Sequence, residues 1–162
     1  MNYLSKYLIE EAAAITSSAK NLNDLEVSKA LKLLDNCYEN NLKLIVSGVG
    51  KSGIVARKIA ATFSSVGLTS IFLNPLDALH GDIGIVNKND LCLLLSNSGE
   101  TTELMEMIPN LKSRKTKCIA LTGNVDSNLA KNCDVFLSTK VEKEICPLNL
   151  APTASTTVSM AI

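Results

Sequence analysis

The sequence predicts an α/β protein in three layers, a parallel β-sheet with helices on both faces, and three observations carry that expectation. Short apolar runs of strand length recur at 43–47, 70–73, 91–95, 117–121 and 134–137. The intervals between them are long enough for crossover helices. Leu91-Cys92-Leu93-Leu94-Leu95 is apolar without alternation, as a strand buried on both faces must be.

Taken in order, the chain opens with two helical patterns. Leu4, Tyr7, Leu8, Ala12 and Ile15 follow helical spacing, and after Asn23-Asp24 the set Val27, Ala30, Leu31 and Leu34 repeats it, with Asp24 as the expected N-cap. The five strand candidates follow, and Glu103 through Met107 and Leu111 read as a helix after the third. After Pro152, residues 154–162 read as the start of a last helix, apolar to the final position and with no stop signal. No repeat or low-complexity linker divides the chain, so 1–162 is expected to be one domain, broken off in its last helix.

Composition excludes several function classes. Sixteen basic residues balance sixteen acidic ones among 162, which leaves no electrostatic footprint for nucleic acid or an anionic membrane. The apolar runs fall far short of the roughly 20 residues that span a bilayer. Glu10 and Glu11 interrupt the N-terminus before a signal-peptide core develops, so a cytoplasmic protein is expected. Five cysteines, without close paired spacing, read as free thiols rather than as a zinc or redox site.

Ligands of open α/β sheets collect at the carboxyl ends of the strands. Three of these ends are rich in glycine and hydroxyl residues: Ser47-Gly48-Val49-Gly50-Lys51-Ser52-Gly53, Ser96-Asn97-Ser98-Gly99-Glu100-Thr101, and Thr122-Gly123-Asn124. Backbone N–H groups and hydroxyls at such turns converge on an anion at the positive end of a helix, and phosphate is the natural guest. The first loop matches G-x-G-x-x-G, but the next strand ends in Leu73-Asn74-Pro75, without the acidic residue a dinucleotide ribose requires. Ile45 stands where a P-loop needs its first glycine.

Lys51 opposes the helix dipole at its position, a conflict that an anionic ligand removes. In the second loop Ser96, Ser98 and Thr101 offer three hydroxyls where capping needs one. Glu103, in the first helical turn, is also favoured there by the dipole alone. His80 is the single histidine, a surface residue by habit and a proton carrier by pKa. Lys143-Glu144 lies after the fifth strand candidate, in a run of charges that solvent alone would accommodate. Thr153-Ala154-Ser155-Thr156-Thr157 caps the last helix or extends the site.

Taken together, Gly48-Val49-Gly50-Lys51-Ser52-Gly53, Ala78-Leu79-His80-Gly81-Asp82, Ser96-Asn97-Ser98-Gly99-Glu100-Thr101 and Leu150-Ala151-Pro152-Thr153 resemble a sugar isomerase (SIS) domain over nearly the whole chain. Lys143-Glu144-Ile145-Cys146-Pro147-Leu148 and the His-Gly-Asp loop are most similar to D-arabinose-5-phosphate isomerases. The resemblance implies a flavodoxin-like strand order and a homo-oligomer, usually a tetramer, with sites at subunit boundaries. It implies interconversion of D-ribulose 5-phosphate and D-arabinose 5-phosphate for lipopolysaccharide precursor synthesis, without a cofactor.

Carried over, the catalytic candidates are Lys51, Glu103, Glu144 and His80, with the choice of carboxylate base open. The substrate and phosphate set is Gly48, Ser52, Ser96, Asn97, Ser98, Gly99, Thr101, His80 and Thr153. No metal site is carried over, because some relatives have histidine where Asn74 stands. The family's further catalytic histidine and paired CBS domains have no counterpart in residues 1–162. A non-catalytic sugar-phosphate-binding regulatory module is the rival expectation. The joint presence of Lys51, Glu103 and Glu144 favours the enzyme.

Overall fold

All five strand candidates pair into one parallel sheet. In the computed structural model, which describes residues 2–162, they are β1 (Leu44–Gly48), β2 (Ser70–Phe72), β3 (Leu91–Leu95), β4 (Lys117–Thr122) and β5 (Val135–Ser138). Their order is β2-β1-β3-β4-β5, the flavodoxin-like arrangement. Leu44 of β1 stands between Ser70 and Leu91, and Leu91 in turn lies opposite Lys117.

Successive strand side chains point to opposite faces, so each strand supplies two cores. Leu44, Val46, Leu93, Leu95, Ile119 and Leu121 face α2 (Asp24–Glu39) and α3 (Gly50–Ser65). Ile45, Cys92, Leu94, Cys118 and Ala120 face α4 (Pro75–Leu79), α5 (Thr102–Ser113) and α6 (Asn128–Asn132). Burying one such leucine or isoleucine contributes about 1.5–3 kcal/mol, and this double burial is why β3 carries no polar alternation. The N-terminal α1 (Tyr3–Asn21) packs on α7 (Ala154–Ala161), which also rests on α3.

Two local expectations are corrected. The N-cap of α2 is Asn23, not Asp24: Asn23 has the extended backbone a cap requires, and its side chain accepts from the N–H groups of Leu25 at 3.0 Å and Glu26 at 3.2 Å. Asp24 already belongs to the helix. The segment around His80, expected as a loop of mixed apolar and turn character, places His80 and Gly81 in a turn between two short helical pieces. Asn74 caps α4, Pro75 occupies its first turn, and a 3₁₀ turn follows at Asp82–Ile85.

Cys37, Cys92 and Cys118 are buried, and Cys133 and Cys146 are half-buried, all as free thiols. Among the described residues no helix is long and apolar enough to cross a membrane.

Candidate functional site

The strand order changes direction between β1 and β3, since β1 hands the chain to β2 on one side while β3 hands it to β4 on the other. The loops leaving these neighbouring strands diverge and open a crevice at their carboxyl ends. A cleft of about 350 Å³ lies there. One wall is the start of α3, with Val49, Lys51 and Ser52. A second is the loop after β3, with Ser96, Asn97, Ser98 and Thr101. The third is α7, which presents Ser155, Thr156 and Ser159.

Hydrogen bonds inside the second loop fix its shape. Ser96 is buried, its Oγ accepts from the N–H of Gly99 at 3.0 Å, and it lies 2.8 Å from Oγ1 of Thr101. Ser98 accepts from the N–H of Glu100 at 3.2 Å and stays exposed together with Asn97. Gly99 has φ of +69°, and a Cβ there would strike the side chain of Ser127. Gly48 acts at a distance from solvent: it is buried at the end of β1, where a Cβ would come within 3.0 Å of the Ser52 backbone.

Helix capping separates this cleft from the rest of the molecule. α1, α2, α4 and α6 begin with Asn2, Asn23, Asn74 and Ser127, and each side chain accepts a hydrogen bond from its own helix. α3 begins at Val49, which has no such side chain. α5 begins at Thr101, whose hydroxyl is turned to Ser96 and makes no cap. The first N–H groups of a helix have no partner within it. Two helices of 16 and 12 residues therefore bring open N-termini to the same cleft. Lys51, exposed and without an ion pair among the described residues, adds a full positive charge. An anion with several acceptor oxygens fits this cradle.

None of the remaining candidates, Glu103, Glu144, Thr153 and His80, is among the residues lining the cleft. The half-buried Glu103 stands in the first turn of α5. Glu144 lies below α7: its Oε2 accepts from the N–H of Thr153 at 2.8 Å, the hydroxyl of Thr153 at 3.1 Å and the N–H of Ser155 at 3.2 Å. Glu144 thereby caps α7 in place of Thr153, whose own side chain does not. The Thr153 hydroxyl also accepts from the N–H of Ile145 at 2.8 Å, so it is engaged within the protein, and its neighbours Ser155 and Thr156 face the cleft instead. His80 ends α4 and is exposed, and it is not among the residues lining the cleft of its own chain. Among the described residues no group of three or more His, Cys, Asp or Glu side chains is placed to hold a metal ion.

Burial pushes the Glu144 carboxyl up, but the hydrogen bonds from Ser155 and Thr153 outweigh it and hold the group below its ordinary value of 4.5. A carboxylate with a depressed folded value stabilises the fold above the unfolded value and loses that contribution as pH falls through the folded one. Amide protection of Thr153 and Ser155 is accordingly expected to fall as pH drops below 4.5, and Glu144→Gln to flatten the acid limb of a stability–pH curve. An unchanged acid limb in Glu144→Gln would count against the cap.

The SIS domain family model matches residues 38–162. This chain belongs to the SIS domain family. The SIS domain is 45% identical over 155 residues to arabinose 5-phosphate isomerase KpsF of Escherichia coli O6:H1, covering 96% of this chain and 46% of the relative. It is 42% identical over 143 residues to arabinose 5-phosphate isomerase KdsD of Francisella tularensis, covering 88% of this chain and 44% of that one. A solved Escherichia coli CFT073 protein in complex with arabinose 5-phosphate superposes with a TM-score of 0.83 at 38% identity, over 99% of this chain and 87% of that one. The chain spans about half the length of the curated relatives it matches.

Within this SIS domain, then, Lys51, Ser52, Ser96, Asn97, Ser98 and Thr101 share one cleft. Gly48 and Gly99 shape it from behind, and Glu144 with Thr153 secures its third wall. Sequence reasoning missed Ser159. The spacing of Ser155 and Ser159, one turn apart on α7, was the available signal.

Proposed function

We propose that this SIS domain is an aldose–ketose isomerase unit that interconverts D-ribulose 5-phosphate and D-arabinose 5-phosphate through an enediol. The observation that carries the reading is the convergence of the two uncapped helix N-termini and Lys51 on one hydroxyl-lined cleft. That cradle suits the phosphate, and anchoring it supplies remote binding energy that orients the reacting carbons. The names of the relatives and the solved structure with bound arabinose 5-phosphate support a five-carbon sugar phosphate.

The reaction moves one proton between adjacent carbons. A base takes it from the hydroxyl-bearing carbon beside the carbonyl, the electron pair forms the enediol, and the proton returns to the former carbonyl carbon while a hydroxyl proton crosses between the oxygens. Glu103 and Glu144 are the carboxylates available as base. In this reading Lys51 is the cation that either completes the phosphate cradle or stabilises the developing enediolate oxygen. His80 serves as a substrate-binding or hydroxyl-proton residue, and its position outside its own chain's cleft agrees with a homo-oligomer, a tetramer in this reading, whose sites form at subunit boundaries. The product would enter synthesis of the eight-carbon acid sugar of lipopolysaccharide in the cytoplasm.

A coupled assay of D-ribulose 5-phosphate conversion tests the proposal. Wild type is expected to turn over. Glu103→Gln or Glu144→Gln, whichever removes the base, is expected to lose about 10²–10⁴-fold in kcat, the usual range for general base catalysis. Saturable binding of the sugar phosphate by wild type without turnover would replace the isomerase reading with a ligand-binding module.

A further inference from the structure

Glu100 stands within a loop that faces an anion site, where a carboxylate pointed inward would repel phosphate. The structure turns it away. Its Oε1 accepts from the backbone N–H of Asn128 at 2.9 Å, and its Oε2 accepts from Nδ2 of the same residue at 2.7 Å. Asn128 is the first residue of α6, 28 positions further along the chain. The Asn128 N–H and side-chain amide, with Lys131 nearby, hold the Glu100 carboxyl below its ordinary value, so the clamp is ionised near neutrality.

The same segment grips the loop at further points. The N–H of Leu129 donates to the carbonyl of Gly99 at 3.0 Å, and the N–H of Gly123 donates to the carbonyl of Asn97 at 3.0 Å. Gly99 itself lies against Ser127. The carbonyls of Asn97 and Gly99 are thus tied to the 123–129 segment that leads into α6, while Ser96, Asn97, Ser98 and Thr101 line the cleft. Of these ties the Glu100 pair is the one made by a side chain of the loop, and it holds the residue next to the start of α5.

We propose that Glu100 is a positioning residue of the phosphate site, holding the 96–101 loop through Asn128 so that the loop's N–H groups meet the anion. The proposal rests on the reading of the cleft as a phosphate site and adds to it the device that keeps the site in shape. Its sign is opposite to that of simple electrostatics. A carboxylate acting on the anion directly weakens binding, so its removal would tighten it. A carboxylate acting through Asn128 strengthens binding, so its removal loosens it.

Titration of inorganic phosphate, and separately of D-arabinose 5-phosphate, into wild type, Glu100→Ala, Glu100→Gln and Asn128→Ala separates the two. Glu100→Ala is expected to weaken both affinities by roughly fivefold, the worth of about one net hydrogen bond. Glu100→Gln keeps an acceptor for the Asn128 N–H and should recover part of the loss. Asn128→Ala should weaken binding with the charge of Glu100 in place, and the double Ala variant should lose less than the sum of the two. All five proteins should melt within about 4 °C of one another, because Glu100 and Asn128 are exposed. Equal or tighter phosphate binding by Glu100→Ala overturns the inference while leaving the site reading intact. A wild type that takes up neither ligand overturns that reading and the inference with it.

Discussion

Gly99→Ala is expected to abolish saturable phosphate binding and to destabilise the protein by about 1–3 kcal/mol, the range for a side chain held in a sparsely populated backbone region. Gly99 sits at φ of +69°, where an L residue is strained whatever the space around it. There is also no space. A Cβ would collide with the Ser127 side chain and come within 2.9 Å of Oγ1 of Thr122. Neither neighbour is free to yield, since both are buried, Ser127 caps α6 through the N–H of Ala130 at 3.3 Å, and Thr122 accepts from the N–H of Asn124 at 3.2 Å. The loop must move instead, and the hydroxyls of Ser96 and Thr101 and the N-terminus of α5 move with it. Phosphate titration beside chemical denaturation checks both parts. Wild-type affinity in a folded Gly99→Ala protein would mean that this loop does not hold the anion.

Lys51→Met is expected to leave folding intact and to lower kcat/KM for D-ribulose 5-phosphate by roughly 10²–10³-fold, the scale of removing one preorganised charge-stabilising group. Lys51 is exposed and has no ion pair among the described residues, so the fold loses nothing that methionine does not replace. The division of the loss locates the charge. A fall in kcat places Lys51 at the enediolate oxygen, whereas a rise in KM alone places it at the phosphate. Mixing Lys51→Met with His80→Ala protomers adds a second result. Recovery of activity in the mixture, from two proteins that lack it singly, is expected if Lys51 and His80 meet across a subunit boundary. No recovery would confine the site to one chain.

Much of the architecture was legible because it is written in local periodicity. The β3 run Leu91–Leu95 has no polar residue, and a strand between two helical layers has no face that could tolerate one. The second loop was legible because three hydroxyls and a glycine exceed what capping needs, and the structure shows that Thr101 does not cap α5 at all. Asn23 was overlooked in favour of Asp24 because both residue types cap well, and only the backbone angles distinguish them. What Glu100 and Glu144 bind was hidden for a different reason. Their partners, Asn128 and the Thr153–Ser155 turn, are reached through space, and no spacing rule for a helix or strand connects them.

The sequence by itself determined that this is an α/β domain with a glycine- and hydroxyl-rich loop after its third strand, since side-chain period and turn chemistry act over a few residues. The tertiary structure decided which loops meet. Strand order placed β1 beside β3, and that adjacency brings the open N-termini of α3 and α5 to one cleft. The docking of α7 closed its third wall with Ser155, Thr156 and Ser159. Tertiary packing also set the work of two carboxylates, Glu144 at the start of α7 and Glu100 at the start of α6, because the hydrogen-bond donors that hold each one come from another part of the chain.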